Sequence, residues 1–270
     1  MRPLAHLLTV LILVAGCGGA STPERDPLAG VYRIGGGDSA LTHVQALADA
    51  FAAKHPGVKF QYDTTLGSDG GINLSANGTL DLGMASRELS PAESALVDRV
   101  LIGVAGTGLV VHQSNPLKDL TTSQVQAIYG GKMTDWSALG NSKLPIVPLV
   151  REKGSSARAA FETYFFGGKP TYGAGVLEIQ GGDQIRQAVA GRPGALGTIG
   201  VQSDDPQGAG IHLVTIDGVT PTKQALRDGT YKVRRPLYLV YSRTVQPKPA
   251  IGQFLEFIRS AAGQRIIDKL

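Results

Sequence analysis

Three times along this chain an apolar, strand-like run breaks into a Gly/Ser turn and restarts with helical spacing: at 34–40 (IGGGDSA), 66–71 (LGSDGG) and 151–158 (REKGSSAR). Strands that alternate with helices predict an α/β fold with a largely parallel sheet. The turns add a chemical constraint. Glycine lets backbone approach a ligand closely, serine donates a hydrogen bond, and a helix start presents unpaired N–H groups with partial positive charge. One such turn is what any strand-to-helix connection favours. Three, the last bracketed by Arg151 and Arg158, predict an anion site.

The alternation extends on both sides of the turns. A short strand at 31–34 leads to a helix over 41–54, where Leu41, Val44, Leu47, Ala48 and Phe51 recur at helical spacing. A strand at 58–62, a short helix at 72–77 and a strand at 80–85 follow. Ser90, Pro91 and Glu93 then read as cap, first-turn proline and capping-box partner of a further helix. The apolar, Gly-containing run 101–112 suits a crossing between lobes, and beyond it the pattern restarts. Thr121 and Gln124 make a second capping box, 146–150 is a strand, and 155–166 a helix with Phe161, Tyr164 and Phe165 on its apolar side. A helix at 183–190 and strands at 194–200 and 211–216 come next. A strand at 237–241 crosses back, and an amphipathic helix over 250–270 is expected to break at Gly263. Trp136 is expected to pack under a loop.

At the N-terminus, Arg2 precedes an apolar stretch at 7–15 that closes on small residues before Cys17. The stretch is shorter than the roughly 20 residues a spanning helix needs, and the pattern resembles a bacterial lipoprotein signal, with an ordinary secretory segment as the alternative. Cys17 is the sole cysteine, which excludes disulfides and thiolate metal sites from the mature domain. Residues 18–28 hold almost nothing to bury and read as a tether, with folded chain from near Val31. A net charge of +4 is spread along the chain without the basic blocks of a nucleic-acid surface.

A doubly charged oxyanion gives up much hydration on burial, so its site must converge many donors. If the three turns meet, Ser39, Ser68, Ser155 and Ser156 supply hydroxyls and the amides of Ala40, Ser156 and Ala157 point at the anion. Ser39 and Ser155 fit plain N-caps equally well, and Arg87 and Arg151 fit surface ion pairs. Enzyme readings find little support. His43, His55, His112 and His212 show no metal-ligand spacing, and no GxSxG, Walker-type or GxGxxG motif is present. A phosphoester hydrolase using Ser155 would need a histidine from elsewhere. No cofactor and no catalytic residue is expected.

In order and spacing the chain resembles the substrate-binding lipoproteins of phosphate ABC transporters, the PstS type. The phrases that carry the likeness are FAAKHPGVKF (51–60), DLGMASRELSPAE (81–93), VVHQSNPLKDLTTSQVQAIYGGKMTDWSALG (110–140), PIVPLVREKGSSARAAF (145–161), GRPGALGTIG (191–200) and RRPLYLVYS with FLEFIRSAAGQRII near the end. The resemblance implies a two-lobed periplasmic binding protein of type II, each lobe a mainly parallel sheet flanked by helices, with hinge strands between. It implies a signal peptide at 1–16, a tether at 17–29, one lobe from 30–105 and 238–270, and the other from 106–237. It implies inorganic phosphate as ligand, an inner-membrane ABC permease as partner, a monomer lipidated at Cys17 in the cell envelope, and no nucleic acid. Carried over by position, the phosphate contacts fall on Ser39, Ala40, Ser68, Arg87, Arg151, Ser155, Ser156 and Ala157. The turn here reads GSSA where the family often has GSGT. Asp38 is the candidate proton acceptor, since some members carry an aspartate where this chain has Arg87. With Asp38 turned away, sulfate or another tetrahedral oxyanion is the alternative ligand, and a surface scaffold that kept only the fold is a further one.

Overall fold

A computed structural model describes residues 26–201, 208 and 210–270. The signal-like segment, Cys17 and the tether through Arg25 lie outside the described residues. β1 (Gly30–Gly36) passes through a 3-10 turn (Asp38–Ala40) into α1 (Leu41–Ala52). Next come β2 (Val58–Asp63), α2 (Gly67–Ala76), β3 (Leu82–Ala85), α3 (Pro91–Leu96) and β4 (Val97–His112). They are followed by β5 (Asp119–Leu120), α4 (Thr122–Tyr129), β6 (Val147–Arg151), α5 (Ser156–Phe166), β7 (Leu177–Ile179) and α6 (Gly182–Ala190). The chain continues through β8 (Ala195–Val201), β9 (Ile211–Ile216), α7 (Lys223–Asp228), β10 (Arg234–Ser242), α8 (Pro249–Arg259) and α9 (Ala261–Lys269).

Hydrogen bonding joins both lobes into one sheet of order β2-β1-β3-β10-β4-β8-β6-β7, with β9 also on β4. The flanks are parallel, β1 with β2 and β3, and β6 with β7 and β8. The middle is antiparallel: β10 pairs with β3 and β4, and β4 with β8 and β9. β4 therefore serves both halves. Its residues from Val97 to Gly106 face β10, and those from Gly106 to Val111 face β8.

The cores divide along the same strand. Val100, Ile102 and Ala105 of β4 join a cluster with Ile34, Leu47, Phe51, Leu239 and Phe254. Leu109 and Val111 join another with Val125, Tyr129, Phe161 and Phe165. The C-terminal helices belong to the first: α8 sends Ile251, Phe254, Leu255 and Ile258 into it, with the Phe254 ring 5.3 Å from Phe51.

Local signals located most elements. Both capping boxes form, Ser90 with Glu93 and Thr121 with Gln124. Trp136 is buried and donates its indole N–H to the Gly194 carbonyl. Two expectations shift. Packed chain begins before β1, because Leu28 is buried and its carbonyl accepts the Tyr32 hydroxyl. The C-terminal helix breaks at Ser260, which caps α9 through its bond from the Gly263 amide. Gly263 sits inside α9, where the absent side chain lets the helix start press on the backbone of Phe257 and Ile258.

Candidate anion site between the lobes

The three Gly/Ser turns converge. Ser39, in the 3-10 turn after β1, and Ser156, the first residue of α5, bring their hydroxyl oxygens within 3.3 Å. At the second turn, Ser68 near the start of α2 accepts from the Ser86 amide at 3.0 Å, which ties α2 to the end of β3. A methyl group on Gly37 would lie 3.4 Å from Ser68 Oγ and 3.8 Å from Ser86 Oγ, so the first two turns and the end of β3 share one small space. The Ser86 hydroxyl is buried without a protein partner.

Helix starts in the fold differ in how they are capped. α3 and α4 satisfy their first amides with complete capping boxes. The 3-10 turn, α1 and α2 have no side-chain cap. Amides left unpaired by their own helix are suited to an anion. Ser39 is thus no N-cap. Ser155 is one, its oxygen accepting from the Arg158 amide, with its neighbour Ser156 left to meet Ser39. Ala157 is buried and its carbonyl accepts the Thr107 hydroxyl at 3.0 Å.

The predicted arginines are each held by carboxylates. Arg87 donates to Glu93 through both terminal nitrogens and to Asp69 at 2.5 Å. The Glu93 hydrogen bonds raise its pKa against the opposing effect of burial, and Glu93 falls to about 2. Arg151 grips Glu152 through Nε and Nη2, both at 2.8 Å. Burial acts to lower the Arg151 pKa, but the Glu152 hydrogen bond and charge outweigh it, and Glu152 drops to about 2 chiefly through the same bond. Arg158 pairs with Glu162 and Glu178. Asp38 is exposed, with Oδ1 3.4 Å from Ser39 Oγ.

Arg235 is the charged residue that sequence reasoning missed. It is the second residue of β10, 4% exposed; its Nη2 donates to Ser39 Oγ at 3.2 Å, and its Nη1 donates to the Gly106 carbonyl and Thr107 Oγ1, each at 3.0 Å. Burial lowers its pKa to about 10, with Asp38 opposing and Arg151 adding to the fall. A signal was present. With a strand period of two, Arg235 is in phase with Leu237 and Leu239 on the core side, an unusual place for a cation.

Two cavities adjoin the convergence. One of about 520 Å³ is lined by Ser68, Arg87, Ser155, Ser156 and Arg158, and the other, about 400 Å³, by Ser86, Ser156, Arg234 and Arg235. The described histidines serve elsewhere. His43 is a buried residue of α1, His112 bonds Ser114, and His212 bonds the Leu117 carbonyl. Among the described residues no cluster of His, Cys, Asp and Glu is fit to hold a metal, and no helix is long and apolar enough to cross a membrane.

Comparison with known proteins bears on the family and the fold. A family model described as a PBP superfamily domain matches residues 21–262. The phosphate-binding protein PstS of Bacillus subtilis (strain 168) is 25% identical over 276 residues, covering 95% of this chain and 87% of its own. A Clostridium perfringens substrate-binding protein, assigned by name to a phosphate ABC transporter and solved with bound phosphate, is 33% identical. It superposes with a TM-score of 0.78 over 89% of this chain and 97% of its own. An ABC-type phosphate transport receptor from Vibrio cholerae shares the fold at 24% identity, with a TM-score of 0.73 over 88% and 97% of the two chains. Matched by that family model and, along most of its length, by these relatives, the chain belongs to the PBP superfamily, in its family of phosphate ABC transporter substrate-binding proteins.

Proposed function

We propose that this protein captures inorganic phosphate between its lobes and delivers it to an ABC-type permease for uptake. The meeting of Ser39 and Ser156 carries the reading: hydroxyls from two turns, 117 residues apart in sequence, aim at one point. The phosphate in the C. perfringens relative supports it. Ser39, Ser68 and Ser156 donate hydroxyls, the Ala40 and Ala157 amides add helix-start donors, and Ser155 holds the third turn in shape. Arg151 contributes through Nη1, the nitrogen left out of its Glu152 pair. Binding energy draws the lobes together about β4 and β10, and no step is catalytic. Lipidation at Cys17 holds the protein at the cell envelope, and a lipid-modified N-terminal peptide in mass spectra of the membrane fraction is the expected sign.

Isothermal titration with phosphate tests the reading, and no binding at millimolar concentration overturns it. Parallel titration with sulfate between pH 5 and 8 reads the role of Asp38. A carboxylate that accepts the ligand's proton selects a protonated anion, because a fully deprotonated one faces it with like charge. Preference for phosphate that Asp38→Asn relaxes is the expected result, and equal affinity for both anions in the parent removes that role.

A further inference from the structure

The arginines around the cleft fall into two kinds. Arg87, Arg151 and Arg158 each sit against at least one carboxylate within 2.8 Å, so their charge is met by the protein itself. Arg235 has no carboxylate within ion-pair distance among the described residues. Its terminal nitrogens meet neutral oxygens, those of Gly106, Thr107 and Ser39, and its Nε is buried with no partner at all. Asp38 acts on it only through space from an exposed position.

A buried ion without a counter-ion is costly to keep, since water no longer solvates it and no opposite charge replaces that water. Arg235 also occupies a junction. It stands on β10, reaches the backbone and hydroxyl of β4 at Gly106 and Thr107, and touches the first turn at Ser39. Thr107 in turn donates to the Ala157 carbonyl at the start of α5. Both strands that run between the lobes and two of the three turns thus meet at one guanidinium, beside a cavity shared with Ser86 and Ser156.

We infer that Arg235 is the counter-charge of the bound oxyanion, and that the anion, by completing this unpaired guanidinium, couples its own charge to the junction of β4, β10 and the first and third turns. The inference rests on the phosphate reading and names the residue that meets the ligand's charge. The guanidinium edge of Nε, which has no partner, and Nη2, which meets only the neutral Ser39 hydroxyl, suits two oxygens of a tetrahedral anion. Arg87, held by Glu93 and Asp69, is then a brace between α2 and α3.

The test is titration of the full chain with inorganic phosphate and with sulfate, alongside thermal melts without ligand. Arg235→Gln should weaken phosphate binding by at least about 30-fold, the scale for removing one partner of a buried charged contact. Its unliganded melting temperature should not fall, because an uncompensated buried charge has gone. Arg235→Lys, which keeps the charge but not the fork, should bind between the two. Affinity of Arg235→Gln within threefold of the parent overturns the assignment alone. A parent chain that binds neither anion overturns the phosphate reading and this assignment together. If Gln prevents folding, the parent labelled with 15N-arginine decides: the Arg235 Nε–H resonance, identified by its loss in Arg235→Lys, should move on saturation with phosphate. An unmoved resonance overturns the assignment.

Discussion

Ser39 Oγ and Ser156 Oγ stand 3.3 Å apart, the first reached from β1 and the second at the head of α5. Neither hydroxyl caps its own helix, and the two meet each other across the turns instead. Ser39→Ala and Ser156→Ala should each weaken phosphate binding by about 1 kcal/mol, roughly fivefold, the net value of one hydrogen bond. In a double-mutant cycle read by calorimetry the two should be non-additive, since both report on one ligand. Strict additivity would place them on separate sites.

Acid should loosen the cleft through Glu93 and Glu152. Both are depressed to about 2 in the folded chain by their arginine partners. A carboxylate with a lowered folded pKa adds stability above its ordinary value near 4.5, and that stability is lost as pH falls toward 2. Urea unfolding across this window should show the decline, and Glu93→Gln should flatten part of it. A parallel, unflattened profile would deny the Arg87–Glu93 pair its role.

His43 sets a second, higher window. It is 3% exposed, and burial, aided by Lys223 and Arg227, lowers its pKa from 6.5 to about 4. Between those values the unfolded chain takes up a proton that the folded chain refuses. Stability is therefore full above pH 6.5 and falls toward pH 4 by up to about 3 kcal/mol at ~1.4 kcal/mol per unit. His43→Leu should remove this slope, and denaturant unfolding between pH 7 and 4 reads it directly.

Gly71 positions the second turn. A methyl group there would lie 2.7 Å from the Gly35 carbonyl oxygen and 2.9 Å from that of Met84, both rigid backbone of the central strands. Gly71→Ala should therefore cost about 1–3 kcal/mol of stability by overpacking. It should also weaken phosphate binding, because α2 carries Ser68 and must move away. Unchanged melting temperature and affinity would show that the helix yields freely.

The legible parts of this molecule were those governed by short-range rules. Capping boxes at Ser90 and Thr121, the apolar periodicity of α1 and the Gly/Ser turns depend on neighbours within a few residues. β7 and α7 escaped notice because three and six residues carry too little periodicity to stand out. The C-terminal break was misplaced because glycine inside a helix usually signals an end, whereas Gly263 answers to crowding by Phe257 and Ile258. Ser39, Ser68 and Ser156 could be picked out as turn residues, while their convergence depends on strand order. Arg235 was hardest, since its distinction lies in having no carboxylate within ion-pair distance among the described residues, which only three dimensions reveal.

The place of β10 has a consequence for synthesis. It lies between β3 and β4, so the first half of the sheet waits for a strand made near the end of the chain. Until residues 234–242 emerge, β3 presents a bare edge, and Phe51 lacks the Phe254 ring it packs against. The first half of the sheet is not a contiguous stretch, and the strands of the second half are made before it can close. The first half of the growing protein thus stays open until the last few dozen residues arrive, and its folding is tied to the end of synthesis.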